Sequence, residues 1–250
     1  MVWGLRAVQL LQHVFMVGSG DTGIYLTDRL DCNCYLVDCT EGFVLIDAGI
    51  GIQPELIERE IARVNPYGKP LLAILITHGH ADHVGGCAYF REKYNADVYA
   101  PKKEAEIIAA ADEERSGLRI ARNAGYYPAD YHMIPCKVDH EVAAGDSVFL
   151  GSLEWKIFQA AGHSIGGVCY MADIDGKRIL FSGDLIGFGG KISLQNIPGS
   201  DVHAYADSIH ALTGQGIDGL FPGHGLFALQ CGQGHIDRAD NAFNKLFVPV

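Results

Sequence analysis

The strongest signal in the sequence lies at residues 76–83, which read Ile76-Thr77-His78-Gly79-His80-Ala81-Asp82-His83. The apolar residues before them predict a fully buried strand over 72–77, so the polar side chains stand where a strand runs into a loop. Imidazole and carboxylate groups suit Zn²⁺ or another first-row divalent ion. In extended chain His78 and His80 point to the same side, and Asp82 and His83 lie beyond the turn. The stretch predicts a metal site.

Three later segments repeat one pattern, in which an apolar strand is followed by a glycine and then by one side chain able to bind metal. The pairs are Gly162-His163 after a strand at 154–159, Gly183-Asp184 after a strand at 177–181, and Gly223-His224 after a strand at 219–221. A glycine lets the backbone turn sharply, so that the next side chain projects from the strand end into a shared cleft. We expect these side chains to join the histidine-rich stretch in one site.

Short apolar strands and amphipathic helices alternate along the chain. We predict strands at 6–17, 34–37, 43–46, 98–100, 147–150 and 168–172, and helices at 54–64, 84–94, 102–111, 202–212 and 236–247, with Ser200 or Asp201 as an N-cap. Residues 113–140 show no clear period and predict a loop-and-helix excursion over the surface. Two runs of strands followed by helices indicate an α/β sandwich, one domain over 1–250 made of two similar halves.

Composition excludes several classes of protein. The chain carries a net charge of −11 and no run of Lys or Arg, which disfavours binding to nucleic acid. Its longest wholly apolar run covers residues 71–76, far short of the roughly 20 residues that cross a bilayer. The first 20 residues lack a signal-peptide pattern, so we expect a cytoplasmic protein that acts on a small molecule rather than at a membrane. In a reducing compartment its seven cysteines are expected to be buried and inert.

With these motifs the chain resembles the metallo-β-lactamase-fold hydrolases. The resemblance extends from Leu45-Ile46-Asp47-Ala48-Gly49 to Phe221-Pro222-Gly223-His224-Gly225. It implies a four-layer αββα sandwich with a dinuclear site at one edge of the two sheets. Position by position, it implies one ion held by His78, His80 and His163, a second held by Asp82, His83 and His224, and Asp184 as the bridging carboxylate. Asp47 corresponds to an aspartate that orients the histidine-rich loop, although an Asp at a strand end also caps turns.

The resemblance further implies hydrolysis by a hydroxide that bridges two divalent ions, for which Zn²⁺ is our first choice and Fe or Mn are alternatives. The leading substrate class is a carboxylic ester, thioester or lactone, and Asp82 and Asp184 are expected to be essential for turnover. Phosphodiesters and phosphotriesters are a second hydrolytic option. Two other classes stay open: a mononuclear iron persulfide dioxygenase that uses only His78, His163 and Asp184, and a metal-stabilised binding protein without turnover.

Substrate contacts are harder to predict. The irregular segment carries a group of ring side chains that could fold over the metal cleft and contact substrate, or face solvent: Tyr126, Tyr127, Tyr131 and His132. The quorum-quenching lactonases of the resembling family place a tyrosine three residues after the bridging aspartate, whereas this chain has Gly187 there. The sequence does not indicate the oligomeric state.

Overall fold

The computed structural model describes residues 8–250, and its strands form two sheets. The first sheet has the strand order β1 (Val8–Leu11), β2 (Val14–Gly18), β3 (Cys34–Asp38), β4 (Phe43–Ile46), β5 (Leu71–Leu75), β6 (Asp97–Pro101) and β7 (His140–Val142). Neighbouring strands are antiparallel from β1 to β4 and parallel from β4 to β7. The predicted strand at 6–17 is a hairpin of β1 and β2, and its first two residues lie outside the described part of the chain.

The second sheet has five strands in the order β12-β11-β10-β9-β8. They are β8 (Ser147–Leu150), β9 (Leu153–Gln159), β10 (Val168–Ile174), β11 (Lys177–Gly183) and β12 (Gly219–Pro222). The pairs from β8 to β11 are antiparallel, whereas β11 and β12 are parallel. Because β11 and β12 run in the same direction, their carboxyl ends lie at the same edge of the sheet.

Helices cover the outer face of each sheet. In chain order the helices are α1 (Pro54–Val64), α2 (Ala81–Val84), α3 (Cys87–Tyr94), α4 (Ala105–Ala110), α5 (Leu118–Asn123), α6 (Val202–His210) and α7 (Gly232–Asn244). Ile57 of α1 and Phe90 of α3 belong to the apolar cluster outside the first sheet, and Tyr205 of α6 and Ile236 of α7 to the cluster outside the second. Among residues 8–250, no helix combines the length and the apolar character that a membrane crossing requires.

The inner faces of the two sheets share one aromatic core. Tyr35 of the first sheet packs against Phe181 and Phe221 of the second, with ring centroids 5.5 and 5.4 Å apart, and Trp155 is fully buried beside them. Such rings contribute large buried apolar areas and fix the two sheets face to face. The expected four-layer αββα sandwich is therefore confirmed.

Several element boundaries differ from the predictions. The predicted helix at 84–94 is split into α2 and α3 at Gly85-Gly86, where a Cβ would lie 2.0 Å from the Ile50 carbonyl oxygen at Gly85 and 2.2 Å from that of Ala48 at Gly86. The backbone of the neighbouring loop thus passes too close for any side chain. The segment 113–140 contains α5 and the start of β7, which its irregular pattern hid. Asp201 is the N-cap of α6, where its carboxylate accepts from two backbone N–H groups.

Candidate metal centre

Five strand ends from both sheets meet at one edge of the sandwich. β5 leads into the histidine-rich stretch and β4 into Asp47, while β9, β11 and β12 end just before His163, Asp184 and His224. In each case the side chain follows the carboxyl end of its strand, where loops can converge. The structure therefore brings together the residues that the sequence singled out, although they span the chain from residue 47 to residue 224.

Three histidines form the first group of possible ligands. His80 Nδ1 lies 3.1 Å from His78 Nε2 and 2.9 Å from His163 Nε2. The opposite nitrogens are already engaged: Nδ1 of His78 faces the Thr77 hydroxyl, and Nδ1 of His163 donates to the Ser193 carbonyl. In His78 and His163 the remaining nitrogen, Nε2, is thus left to face His80 Nδ1, as ligands of one metal ion would.

Asp82, His83 and His224 form the second group. His224 Nε2 is 3.0 Å from Asp82 Oδ2, and His83 Nε2 is 3.8 Å from the same oxygen. His83 is fully buried, and Asp82 and His224 border the cleft described below. Their ligand atoms all lie within 4.8 Å of one another, a spread compatible with a single ion.

Asp184 contacts both groups. Its Oδ2 lies 3.3 Å from His163 Nε2 of the first group and 3.3 Å from His224 Nε2 of the second. Its Oδ1 lies 3.4 Å from His83 Nε2. Asp82, the other carboxylate among the predicted ligands, pairs instead with His83 and His224 of its own group. The position of Asp184 is the one that a bridging carboxylate would need.

Two buried atoms at the contact between the groups lack a hydrogen-bond partner: His83 Nε2 and Asp184 Oδ1. A buried polar atom without a partner costs about 1–3 kcal/mol, so such atoms in a folded protein call for an explanation. Two atoms that each bind one ion at about 2.0–2.1 Å are separated by a distance similar to the 3.4 Å between His83 Nε2 and Asp184 Oδ1. The nitrogen and oxygen donors present here therefore fit divalent metal ions.

The protonation states of His78, His80 and Asp184 are those of metal ligands. Burial lowers the pKa of His78 well below its usual range and that of His80 to about 3, so both rings are neutral at pH 7. Burial alone would raise the pKa of Asp184, but the rings of His224, His83 and His163 outweigh it and hold that pKa well below its usual range. The carboxylate is therefore ionised, which is the form that binds metal. The carboxylates of Asp184 and Asp82 outweigh burial and raise the pKa of His224 to about 10, so a metal ion would displace a proton from that ring.

Asp47 holds the histidine-rich loop from behind. Its Oδ1 accepts from the backbone N–H of Thr77 and its Oδ2 from the Thr77 hydroxyl and from His83 Nδ1, each at 2.8 Å. The last bond directs His83 Nε2 toward Asp82 and Asp184. Cys32 also lies near Asp47 and His83, but burial raises the pKa of its thiol, which keeps it protonated and a poor ligand.

Three residues that support the ligands escaped sequence analysis. Glu104, which is 2% exposed, accepts from the backbone N–H groups of Gly79 and Gly166 and from the Ser164 hydroxyl. Its carboxylate thereby joins the loop of His78 and His80 to the loop of His163. The Tyr205 hydroxyl lies 3.1 Å from His163 Nδ1, and the Thr22 hydroxyl lies 2.7 Å from His224 Nδ1. No sequence pattern marks these long-range contacts.

Two of the glycines that precede ligands have different roles. Gly183 has φ +49°, so it makes the sharp turn expected before Asp184. Gly223 is needed for space instead, because a Cβ there would lie 2.3 Å from Asp184 Oδ1 and 2.6 Å from His83 Cε1. The backbone before His224 is packed directly against the other ligands.

Comparisons with known proteins agree with this geometry. A sequence model of the metallo-β-lactamase superfamily matches residues 27–224. The chain belongs to the metallo-β-lactamase superfamily. It is 30% identical over 211 residues to the bovine acyl-coenzyme A thioesterase MBLAC2, covering 77% of this chain and 72% of that one. It is 29% identical over 204 residues to the probable metallo-hydrolase YflN of Bacillus subtilis, with 74% and 75% covered.

Solved structures show the same fold. A metallo-β-lactamase of Cronobacter sakazakii superposes with a TM-score of 0.72 at 22% identity, covering 97% of this chain and 94% of that one. BJP-1, a subclass B3 metallo-β-lactamase of Bradyrhizobium japonicum, gives a TM-score of 0.71 at 20% identity, with 97% and 93% covered. This member of the metallo-β-lactamase superfamily is accordingly a metal-dependent hydrolase.

A cleft of about 1010 Å³ leads to the ligands of this superfamily member. One wall lies between residues 116 and 127 and the other between residues 186 and 197, with His80, Asp82, His163, Asp184 and His224 among the residues at its base. Its size is at the upper end of the roughly 300–1,000 Å³ typical of small-molecule sites. The irregular segment of the sequence therefore forms one side of the approach to the metal centre.

Of the four ring side chains that could either contact substrate or face solvent, the structure places two at the cleft and two elsewhere. Tyr126 and Tyr127 line the cleft. The Tyr131 hydroxyl donates to the Ile50 carbonyl at 2.8 Å, and the ring packs beside the core outside the first sheet. His132 is exposed and pairs with Glu113 at 2.7 Å. Neither Tyr131 nor His132 is part of the cleft wall, because the chain turns away after Tyr127.

Tyr127 is expected to position Asp82. Its hydroxyl donates to Asp82 Oδ1 at 3.0 Å, on the side away from His224, and burial raises the pKa of the phenol, so it stays protonated. We expect Tyr127→Phe to lower metal affinity by about 10- to 100-fold, since partners that hydrogen-bond a ligand have effects of this size. Competition with a chromogenic chelator measures the affinity.

Tyr131→Phe is the matched control for this variant. It removes one hydroxyl from the same segment, at a hydrogen bond that does not involve a ligand. It should cost about 1 kcal/mol of stability and leave metal affinity unchanged. Equal metal affinities in the two variants would show that the Tyr127 hydroxyl does not act on the metal centre.

Proposed function

We propose that this hydrolase cleaves a carboxylic ester, thioester or lactone with a dinuclear centre, most simply of two Zn²⁺ ions. The observation that carries the proposal is the placement of Asp184, whose carboxylate lies within 3.4 Å of ring nitrogens from both ligand groups. His78, His80 and His163 would hold one ion and Asp82, His83 and His224 the other. Asp184 would be shared between them.

The second ligand group favours two ions over a mononuclear iron site. An oxygenase of the persulfide dioxygenase kind would need only His78, His163 and Asp184. In this chain a second group of side chains, Asp82, His83 and His224, lies beside Asp184. The Nε2 atom of His83 in this group is buried and has no hydrogen-bond partner. A mononuclear enzyme would leave that buried group without a partner, at a cost of about 1–3 kcal/mol.

Bound divalent cations would lower the pKa of water toward neutrality and attract the oxygen atoms on which negative charge develops. The protein's own contribution is to hold the ligands rigidly, through Asp47 on His83, Thr22 on His224 and Tyr127 on Asp82. The cleft above the ligands sets the direction from which substrate approaches. No serine or cysteine nucleophile is required for hydrolysis of this kind.

The charge of the cleft supports a carboxylic rather than a phosphoric substrate. Within residues 8–250, Lys191 is the single Lys or Arg on its walls. Phosphate recognition usually employs several cationic or N–H donors, and Arg in particular. The thioesterase name of the MBLAC2 relatives supports the same class.

All seven cysteines are free and six are buried, which supports a reducing, cytoplasmic location. We propose a small-molecule substrate, with neither nucleic acid nor membrane as a partner.

A substrate panel tests this proposal. Protein purified without chelator would be assayed on matched p-nitrophenyl carboxylic esters, an acyl thioester, a lactone, a β-lactam and bis(p-nitrophenyl) phosphate, with oxygen consumption followed in parallel. We expect at least about tenfold higher kcat/KM on a carboxylic ester, thioester or lactone than on the phosphodiester. A higher rate on the phosphodiester, iron-dependent oxygen uptake, or no turnover of any substrate by metal-loaded protein would each contradict it.

A further inference from the structure

The cleft above the metal centre is far more apolar than its base. Leu118 and Ile120 lie on one wall, and Ile186, Phe188 and Ile192 on the other. The carboxylates of Asp82 and Asp184 lie at the base, whereas Lys191 is the one charged side chain on the described walls, beside uncharged polar groups such as Ser193 and Gln195. A ligand that fills this cleft therefore needs one polar end at the metal centre and an apolar remainder between the walls.

Large apolar side chains at the cleft are also exposed to solvent. Ile120 is 41% exposed, Phe188 47%, Leu194 43% and Leu226 61%, and all four line the cleft. A single exposed apolar residue is ordinary, but four on one concave surface form the kind of patch that marks a ligand or partner site. Their convergence on the approach to the metal ligands favours a ligand that reacts there.

We infer that the cleft binds the straight acyl chain of an ester or thioester, at least of medium length, with the carbonyl carbon at the metal centre and the hydrocarbon between the two walls. The inference rests on the proposed function and narrows it to a class of substrate. A compact lactone or a sugar ester would leave the apolar walls unfilled. Burial of a methylene group contributes up to about fourfold in affinity, so the walls would discriminate by chain length.

Gly187 lines the cleft without a side chain. It lies on the wall between Ile186 and Phe188 with φ −106°, a conformation open to any L-residue. A Cβ built there would meet only the Lys191 carbonyl oxygen, at 3.7 Å. The backbone therefore does not require glycine, and a large side chain at 187 would occupy space in the cleft.

Gly187→Trp tests the inference, with Gly234→Trp as its matched control. Gly234 lies on α7, is exposed, and a Cβ there meets nothing within 4 Å. For the wild type we expect kcat/KM to rise about 60-fold from p-nitrophenyl butyrate to decanoate, on the basis of roughly twofold for each of six methylene groups in a half-open cleft. Gly187→Trp should lower the decanoate-to-butyrate ratio at least about tenfold, and Gly234→Trp should leave it unchanged.

Direct binding of decanoate and butyrate, measured by isothermal titration calorimetry, distinguishes a failure of the acyl-chain inference from a failure of the proposed hydrolase function. Turnover of esters with a flat chain-length profile would overturn the acyl-chain inference and leave the hydrolase proposal intact. Decanoate binding that Gly187→Trp weakens, without turnover of any ester or thioester, would support the acyl-chain site and contradict the proposed function. Equal or absent binding of both acids would overturn the inference whatever the activity.

Discussion

Asp184→Asn is expected to abolish hydrolysis and to remove metal from the protein. The carboxylate contacts ring nitrogens of both ligand groups, and the neutral amide supplies neither the charge nor the second equivalent oxygen. The loss in kcat/KM should exceed the roughly 10- to 100-fold that follows from removing a group that merely supports a ligand. Steady-state kinetics on the best substrate of the panel, together with metal analysis of the same preparation, measures both effects.

Asp173→Asn is the matched control for this variant. Asp173 lies on β10, is exposed and pairs with Arg178 on the surface. Surface pairs of this kind contribute about 0–1 kcal/mol, so the control should keep full activity and metal content. Full activity of Asp184→Asn with metal bound would show that the carboxylate does not join the two groups.

Glu104→Ala is expected to lower both the stability of the protein and its metal affinity, although Glu104 is not a predicted ligand. The substitution leaves the N–H groups of Gly79 and Gly166 and the Ser164 hydroxyl without their acceptor. Each unsatisfied buried donor costs about 1–3 kcal/mol, so the metal-free protein should lose about 3 kcal/mol or more, as urea unfolding would show. Because the carboxylate also ties the two histidine loops together, metal affinity should fall at least about tenfold.

Glu60→Ala is the control that separates a loss of ligand positioning from a loss of stability. Glu60 is 1% exposed and pairs with Arg63 on α1, remote from the ligands. Its loss should reduce the free energy of unfolding but leave metal affinity unchanged. If Glu104→Ala and Glu60→Ala lose stability alike while both retain wild-type metal affinity, Glu104 is structural and does not position the ligands.

The ligands could be predicted because their signals are local. Each stands beside a glycine or within the histidine-rich stretch at the end of an apolar strand, and a strand end is visible in the periodicity of the sequence. The resemblance then related these distant strand ends to one another. The pattern of strands and helices indicated an α/β sandwich, and the resemblance implied its four-layer αββα arrangement and the assignment of the ligands to two ions.

Residues that act through long-range contacts could not be predicted. Glu104 follows two lysines and resembles an exposed charge, yet it is buried between loops that come from residues 79 and 164–166. Tyr127 and Tyr131 have the same residue type and lie in the same irregular segment, but only Tyr127 reaches a ligand. The difference depends on how the chain turns after α5, and no period or capping signal in that segment specifies it.

Elemental analysis of the wild-type protein, purified without chelator and exchanged into metal-free buffer, tests the dinuclear centre most directly. We predict about two divalent ions per chain, predominantly zinc, in a preparation that hydrolyses a carboxylic ester or thioester. One iron per chain, or about one ion or fewer of any metal after reloading with excess zinc, would contradict a dinuclear centre.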